Sequence, residues 1–591
     1  MIALIISLFQ TGLSQDLDLK SILVQGQLVD HKTKEPLPFA HIYNLRTKLG
    51  SVTDEQGYFG FDNNNIGDTI SVSFIGYVSQ QIIIESEAFL QIELKDNEQQ
   101  LTEVTLEYDN SDYLYKLINS CIKNKSKAKA KGKAYYELHS TIDNKQTELV
   151  ESFYNAEVVG YDLEELKLKV GRLGIQTHHE GGATLSLESS VAITTSKLME
   201  ASDLFYKNPF QLSYSRLRKN YDLYRVKSYS EQGKTMEVVR FIPKSDAVNL
   251  FSGTAWINKT DFRIRKINLE CEDCKIHPFR VVSNDERNIE SVDLNIVKNF
   301  EDNKGENILN HINFTYNIKY SRKEYDLNLK TSVLVRIYDW DHLFYEPKFN
   351  PSSERRHDQD YREIGEAPYN AFFWDNHNEY AVFDKGHENE NYFNNPNTIH
   401  GEVFLHSLNM PGYEQGEFFE HPSFSWSKKR LRFADARTED TTTVAYQQKK
   451  SGYTGAFNGQ FKSDMYKFYG KIYLDRNEYN GKVDVVLESI FDSSRSYYKL
   501  PVNWKVQVFV NMYFDLVEIE KRTLEKHINA SDKSISTLNK LYTDSELRLK
   551  KVHKLYLKEV QRGENESALE KWNTLILSKL KINNLDAFKR D

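Results

Sequence analysis

The strictest constraint in this chain is a period of two. In "INFTYNIKY" the residues Ile312, Phe314, Tyr316, Ile318 and Tyr320 alternate with polar ones. After the turn "SRKE", Tyr325, Leu327, Leu329, Thr331, Val333 and Val335 do the same. Successive side chains of a strand point to opposite faces, so each run has one apolar and one polar face. Two such runs joined by a short turn form an antiparallel hairpin. "WINKTDFRI" predicts a second hairpin, turning at Asn258 to Asp261. Strand-like sequence runs from about Tyr135 to Trp340 and predicts one large antiparallel sheet or half-barrel. Aromatic residues are 13% of the 591, with 36 Tyr and 33 Phe, as suits pleated surfaces covered by flat side chains.

A chain of this length holds about three or four domains. Hydrophobic residues at 39% and charged residues at 27% predict folded, soluble ones. The net charge of −8, with no long basic stripe, argues against nucleic acid as a partner. The Lys-rich run "KNKSKAKAKGK", Lys123 to Lys133, reads as a solvated linker after a helix. The opening "MIALIISLFQTGLSQ" has an apolar run from Ile2 to Phe9, too short to span a bilayer. Gly12 and Ser14 are the small residues that a signal-peptide cut before Gln15 requires, so residues 1–14 are expected to be removed on export. No Cys adjoins the cut, which argues against a lipid anchor there, and no transmembrane helix is expected further on.

Residues 22–106 carry short strands between turn residues: "ILVQGQLVD", "PFAHIYNLR", "GYFGFD", "TISVSFIGY", "QQIIIE" and "LQIEL". This spacing predicts a small β-sandwich. In "TDEQGYF", Gly57 can supply a positive φ and Asp54 can bond the turn backbone. "VQGQLVDHKTKEPLPFAHIYN", "GSVTDEQGYFGF" and "ISVSFIGYVSQQIII" resemble the carboxypeptidase-regulatory-like, transthyretin-like sandwich found in many Gram-negative envelope proteins. That resemblance implies a structural module without a peptidase site.

Residues 111–345 are expected to form a helix followed by a β-rich domain. The helix "SDYLYKLINSCIKN" can be capped by Ser111 or Asp112, with Leu114, Leu117, Ile118 and Cys121 or Ile122 on one face. "YYELHSTIDNKQTELVESFYNAEVVGY" resembles the middle of an uncharacterised envelope family that carries the same sandwich and often a membrane barrel. A curved sheet can cradle a lipid or peptide, or close on its own core. "CEDC", with Cys271 and Cys274, follows a strand pattern and has no second Cys pair. A local disulfide or plain thiols are expected there ahead of redox or zinc chemistry. Residues 346–420 read as an extended connector with local packing around "YNAFFWDNH". The His-acidic clusters at His178, His357 and His387 lack the second His of H-E-x-x-H and read as surface loops.

Residues 421–591 begin with "FSWSKKRLRFADA", continue through strands "TTVAYQQKK", "KFYGKIYLD" and "KVDVVLESIF", and end in helices over about 505–530, 533–561 and 566–580. The order of elements, with "FDSSRSYY", "FVNMYFDLVEIEKR" and "YLKEVQRGENESALEKW", resembles an uncharacterised secreted zinc-protease family. Its H-E-Q-x-H-F-D helix places His, Glu and His on Phe509, Val510 and Tyr513, while Phe514, Asp515 and Glu518 are kept. In the later segment Tyr556, Glu559, Gly563 and Trp572 are kept, and the family's Asp, Thr and His fall on Leu557, Val560 and Arg562. Phenylalanine has no donor atom, and a tyrosine phenol titrates near 10, too high to bind metal well at neutral pH. Phe509, Met512, Tyr513 and Leu516 fall at i, i+3, i+4 and i+7, one apolar helix face.

The expected fold class is multidomain and β-rich: an N-terminal sandwich, a central antiparallel sheet or half-barrel, and a zincin-like α+β C-terminal part. No catalytic, cofactor-binding or metal-binding residue is assigned, and no cofactor is expected. The expected function is a non-catalytic, exported, periplasmic or outer-membrane-associated protein that binds an envelope protein, a peptide or a lipid. A secreted peptidase with other catalytic residues, or a lipid or small-ligand carrier using the central sheet, are the alternatives.

Overall fold

A computed structural model describes residues 22–38, 40–47, 50–53, 56–74, 77–96, 107–108, 112–176, 189–231, 234–244, 249–279, 288–321, 326–348, 364, 367–376, 389, 391–400, 423–426, 430–431, 466–479, 481–492, 496–498 and 503–588. The expected signal peptide, Asp54, the three His-acidic clusters and the strand "TTVAYQQKK" lie outside these residues. The chain divides into two units, the first described up to Asp96 and the second from Glu107 onward.

The first unit is a sandwich of seven strands: β1 (Ile22–Asp30), β2 (His41–Asn44), β3 (Gly50–Val52), β4 (Tyr58–Asn64), β5 (Thr69–Ser73), β6 (Gln80–Ile83) and β7 (Leu90–Leu94). They form a three-stranded sheet, β4-β1-β7, and a four-stranded sheet, β3-β2-β5-β6. Leu28, Ile42, Phe59, Ile70, Val72 and Leu94 fill the space between them. Gly57 has φ +78°, and a Cβ there would lie 2.4 Å from the Leu28 carbonyl oxygen, so the turn requires glycine. Thr53 locks the adjoining loop: its hydroxyl donates to the Leu37 carbonyl and accepts from the Ala40 amide.

The second unit is organised by a twelve-stranded sheet. Its strands are β8 (Glu107–Tyr108), β9 (Lys129–Ile142), β10 (Lys145–Val159), β11 (Asp162–Ile175), β12 (Tyr221–Glu231), β13 (Lys234–Pro243), β14 (Ser252–Asn258), β15 (Ile264–Cys271), β16 (Asn288–Asn303), β17 (Glu306–Ser321), β18 (Asp326–Asp339) and β19 (Ile399–His400). They lie in the order β19-β11-β10-β9-β18-β17-β16-β15-β14-β13-β12-β8, and every pairing is antiparallel. Both predicted hairpins are present, as β14–β15 and β17–β18. The two outermost strands contribute two residues each.

The Lys-rich run corrects the linker expectation. Lys123 ends the helix α1 (Tyr113–Lys123), and β9 already begins at Lys129. "KAKGK" is itself a period-two pattern: Lys131 pairs with Glu157 at 3.1 Å and Lys133 with Asp339 at 3.2 Å. Asp112 stands at the α1 N-cap position without a side-chain cap bond.

The sheet curls until the β10–β11 turn reaches the far strands. The Leu309 amide donates to the Gly160 carbonyl at 2.8 Å, and the Tyr161 ring stands edge-on to Phe300 at 4.9 Å. The inner face is filled by the chain itself. Leu114, Leu117, Ile118 and Cys121 of α1, together with Phe210 in the 3-10 turn Pro209–Gln211 and Leu217 of α3 (Tyr214–Asn220), pack on Leu138, Tyr154, Phe314 and Val333. A helix α2 (Ser189–Thr195) adds Ala192 and Ile193.

On the opposite face the connector packs through α4 (Ala371–Asn376), whose Phe373 and Trp374 rings meet Phe153 at 5.1 and 5.8 Å. The C-terminal part has strands β20 (Ser423–Ser425), β21 (Tyr466–Lys467), β22 (Gly470–Tyr479), β23 (Lys482–Asp492) and β24 (Tyr497–Tyr498). Helices α5 (Trp504–Asn529), α6 (Ile535–Val560), α7 (Glu566–Leu580) and α8 (Asn584–Phe588) follow. The fold is β-rich, with an α+β C-terminal part.

Candidate functional site

Helix α5 carries Phe509, Val510 and Tyr513, the three positions singled out in the sequence. Asn503 starts it, its side chain accepting from the Val506 amide at 3.1 Å. The expected single apolar face is corrected: every residue from Val508 to Glu518 is buried. The polar ones are held by partners distant in sequence. Asn511 bonds both the amide and the carbonyl of Leu431 at 2.9 Å. Asp515 accepts from Trp426 Nε1 at 2.8 Å, from Arg430 and from Asn584 Nδ2 at 2.7 Å. Glu518 accepts from the Ser489 hydroxyl at 2.8 Å and from Arg522. Buried polar groups are tolerated when bonded in this way.

Phe509 is fully buried between the rings of Tyr466, Phe468 and Tyr556, with centroids at 5.7, 5.7 and 5.6 Å. Val510 is buried and contributes no donor atom. Tyr513 donates its hydroxyl to the Phe468 carbonyl at 3.0 Å, and burial pushes its phenol pKa up. His553 of α6 stacks on Tyr513 at 3.8 Å and donates Nε2–H to the Tyr513 carbonyl at 3.1 Å. Burial lowers the imidazole pKa to about 4, so His553 is neutral at pH 7.

The later segment packs against the same helix. Tyr556 donates to the Phe509 carbonyl at 2.7 Å and meets Trp572 edge-on at 5.3 Å. Trp572 Nε1 donates to Glu559 at 2.8 Å. Gly563 has φ +92°, and a Cβ there would lie 2.8 Å from the Lys505 carbonyl oxygen, in the first turn of α5. Leu557 is half-buried, Val560 is fully buried, and Arg562 pairs with Glu564. Among the described residues, no three His, Cys, Asp or Glu side chains gather as a metal-binding group. Phe509, Val510, Tyr513, Tyr556, Val560 and Trp572 are thus joined in one core cluster, which they hold by aromatic contacts and hydrogen bonds.

Cys271 and Cys274 form a disulfide that closes the end of β15, and Cys121 is a buried thiol. Sequence reasoning missed three buried polar assemblies. Lys169 of β11 pairs with Asp475 of β22 and donates to the carbonyls of Tyr345 and Arg476 at 3.2 and 3.0 Å. Lys298, on the inner face of the large sheet, pairs with Asp162 at 3.1 Å. On the opposite face, Glu137 and Glu151 share the Tyr135 hydroxyl at 2.8 and 3.0 Å, and Arg172 binds Glu151 at 2.6 Å.

The N-terminal strands, the Gly57 turn and the Thr53 lock fit one known family. Residues 24–106 match the model of the CarboxypepD_reg-like domain. The strands of the first unit belong to this CarboxypepD_reg-like domain. No match was found among curated proteins. Solved structures with some similarity include a DUF1329 family protein from Desulfovibrio piger, at 11% identity and TM-score 0.17, covering 39% of this chain and 93% of that one. MucB follows at 8% and 0.16, covering 39% and 94%. An outer membrane lipoprotein-sorting protein domain from Vibrio parahaemolyticus has 9% and 0.17, covering 38% and 90%. Scores this low do not establish a shared fold.

Proposed function

We propose that this chain is a non-catalytic binding or scaffold protein of the cell envelope. Its C-terminal part would be a zinc-peptidase-like fold whose ligand positions have become core. One observation carries the reading: Phe509, Val510 and Tyr513 are buried and consumed by packing or hydrogen bonding, so the helix offers no open coordination position. A catalytic zinc needs three protein donors and one open position for water or substrate. The CarboxypepD_reg-like domain supports an envelope setting. The inner face of the large sheet is occupied by α1 and α3, so lipid carriage there would require those helices to part from it.

Purified native protein analysed for metal and assayed with denatured protein substrates tests this reading. Less than stoichiometric zinc and no chelator-sensitive cleavage are expected. One tightly bound zinc per chain with chelator-sensitive cleavage would overturn it. Native mass spectrometry of the same sample separates the carrier alternative, since a co-purified lipid on each chain would establish a ligand site instead.

A further inference from the structure

The solvent face of α6 has a composition that its fold does not use. The helix buries Leu538, Tyr542, Leu549, His553, Tyr556 and Val560. At 100° per residue, Leu547, Lys550, Lys551, Lys554, Leu555 and Lys558 share the opposite stripe, and all six are exposed. Leu547 and Leu555 are 54% and 48% exposed, two turns apart. Ion pairs on and around this helix join Arg548 to Glu520, Lys571 to Glu559 and Arg562 to Glu564. Among the described residues, none of the four stripe lysines is within ion-pairing distance of a carboxylate. Acids flank the stripe at Asp544, one turn before it, at Glu546 on its edge and at half-buried Glu559 beside Lys558, whose carboxylate is bonded to Lys571 and Trp572.

We infer that this face of α6 docks on an anionic phospholipid surface. The stripe from Leu547 to Lys558 is about 17 Å long, and a straight helix fits a plane without a pocket. Lysine stems can lie on the headgroup region with their ammonium groups at the phosphates, while the two leucines reach the acyl boundary. An acidic protein could satisfy the lysines and cover the leucines, but a straight, convex helix ridge offers it no groove; the row of lysines with two leucines among them fits a plane of anionic headgroups over an apolar layer. The whole chain carries −8, so its bulk charge opposes adsorption, and the attraction must act locally, within a Debye length of about 8–10 Å. No helix among the described residues is long and apolar enough to cross a bilayer. This inference does not depend on the absence of catalysis proposed above.

The test is co-sedimentation of the full chain with vesicles of phosphatidylglycerol and phosphatidylethanolamine, and with vesicles of phosphatidylcholine alone. Binding to the first only, falling as salt rises, is expected. Each of Lys550→Gln, Lys551→Gln, Lys554→Gln and Lys558→Gln should weaken partitioning about fivefold, as one lysine at an anionic surface contributes. A variant with Lys145→Gln, Lys219→Gln, Lys319→Gln and Lys330→Gln makes the same change in net charge on the large-sheet region and should bind like the parent. Leu547→Ser with Leu555→Ser should abolish the binding that survives high salt. These exposed residues carry no described ion pair, so circular dichroism should show every variant folded. Equal binding by the α6 quadruple variant and the parent overturns the inference. So does retention of the parent on soluble polyglutamate without any binding to vesicles.

Discussion

Breaking the Lys169–Asp475 pair should cost more than removing both of its members. Lys169 and Asp475 are 2% and 1% exposed, so the charges meet without water. Burial pulls the Lys169 pKa down and Asp475 opposes that shift. Lys169→Met removes the ammonium and leaves Asp475 with only the Arg476 amide at 2.8 Å and Asn477 Nδ2 at 3.2 Å. Losing one partner of a buried pair costs about 3–5 kcal/mol, and the two remaining bonds place this case near 3. Asp475→Leu strands the ammonium on two carbonyls and should cost a similar amount. The double variant replaces both charges by apolar volume, which is often neutral or better. Each single variant should therefore lose about 3 kcal/mol and the double less than either, a coupling of more than about 3 kcal/mol. Urea titrations followed by tryptophan fluorescence and circular dichroism would measure the cycle at constant m. Additive single effects, or single losses under about 1 kcal/mol, would refute the reasoning.

Phe509→Ala should destabilise the second unit by about 3–5 kcal/mol in the same titration, because the ring is fully buried among three others; an exposed control, Leu577→Ala, should change little. His553 has a folded pKa near 4 against 6.5 for the free group, so its neutral form favours folding above about pH 6.5 and this contribution is lost as pH falls toward 4; His553→Gln should flatten the stability–pH curve between those values. Phe509→His, Val510→Glu, Tyr513→His and Arg562→His together should bind zinc more tightly than the parent in calorimetry if these positions converge; equal weak binding by a folded variant would leave only a buried helix. The Cys121 thiol, whose pKa burial pushes up, should resist alkylation until the protein unfolds.

The sequence made some levels of this structure plain and hid others. Period two located β17 and β18, the turn in "WINKTDFRI" located β14 and β15, and the helices expected at about 505–530, 533–561 and 566–580 appear at 504–529, 535–560 and 566–580. Those signals are local, written within one element. The environment of α5 was not legible. The apolar face Phe509, Met512, Tyr513 and Leu516 gave no sign that Asn511, Asp515 and Glu518 are buried as well, bonded to Leu431, Arg430 and Ser489, residues 29 to 85 positions away. A polar side chain in a helix looks the same in sequence whether water or a distant partner satisfies it. Lys169 was hidden for a second reason. It sits where the β10–β11 register shifts, between Leu168 opposite Tyr154 and Val170 opposite Phe153, and a bulge re-aims a side chain that strict alternation would place elsewhere.

Among the described residues, the twelve-stranded sheet ends in two-residue strands on both sides. Strands of eleven and fourteen residues, β12 and β11, lie just inside them, and long open edges of that kind recruit further strands from other molecules. Both carry irregularities, at Arg225/Lys227 in β12 and opposite Phe153/Tyr154 and Glu157/Val158 in β11. Such kinks spoil the straight row of amides and carbonyls that a newcomer would need. The short flanking strands and the kinks act as stoppers. A chain cut between β8 and α1 would lose one stopper while keeping the large core, and its characteristic failure would be polymerisation through β12 rather than unfolding.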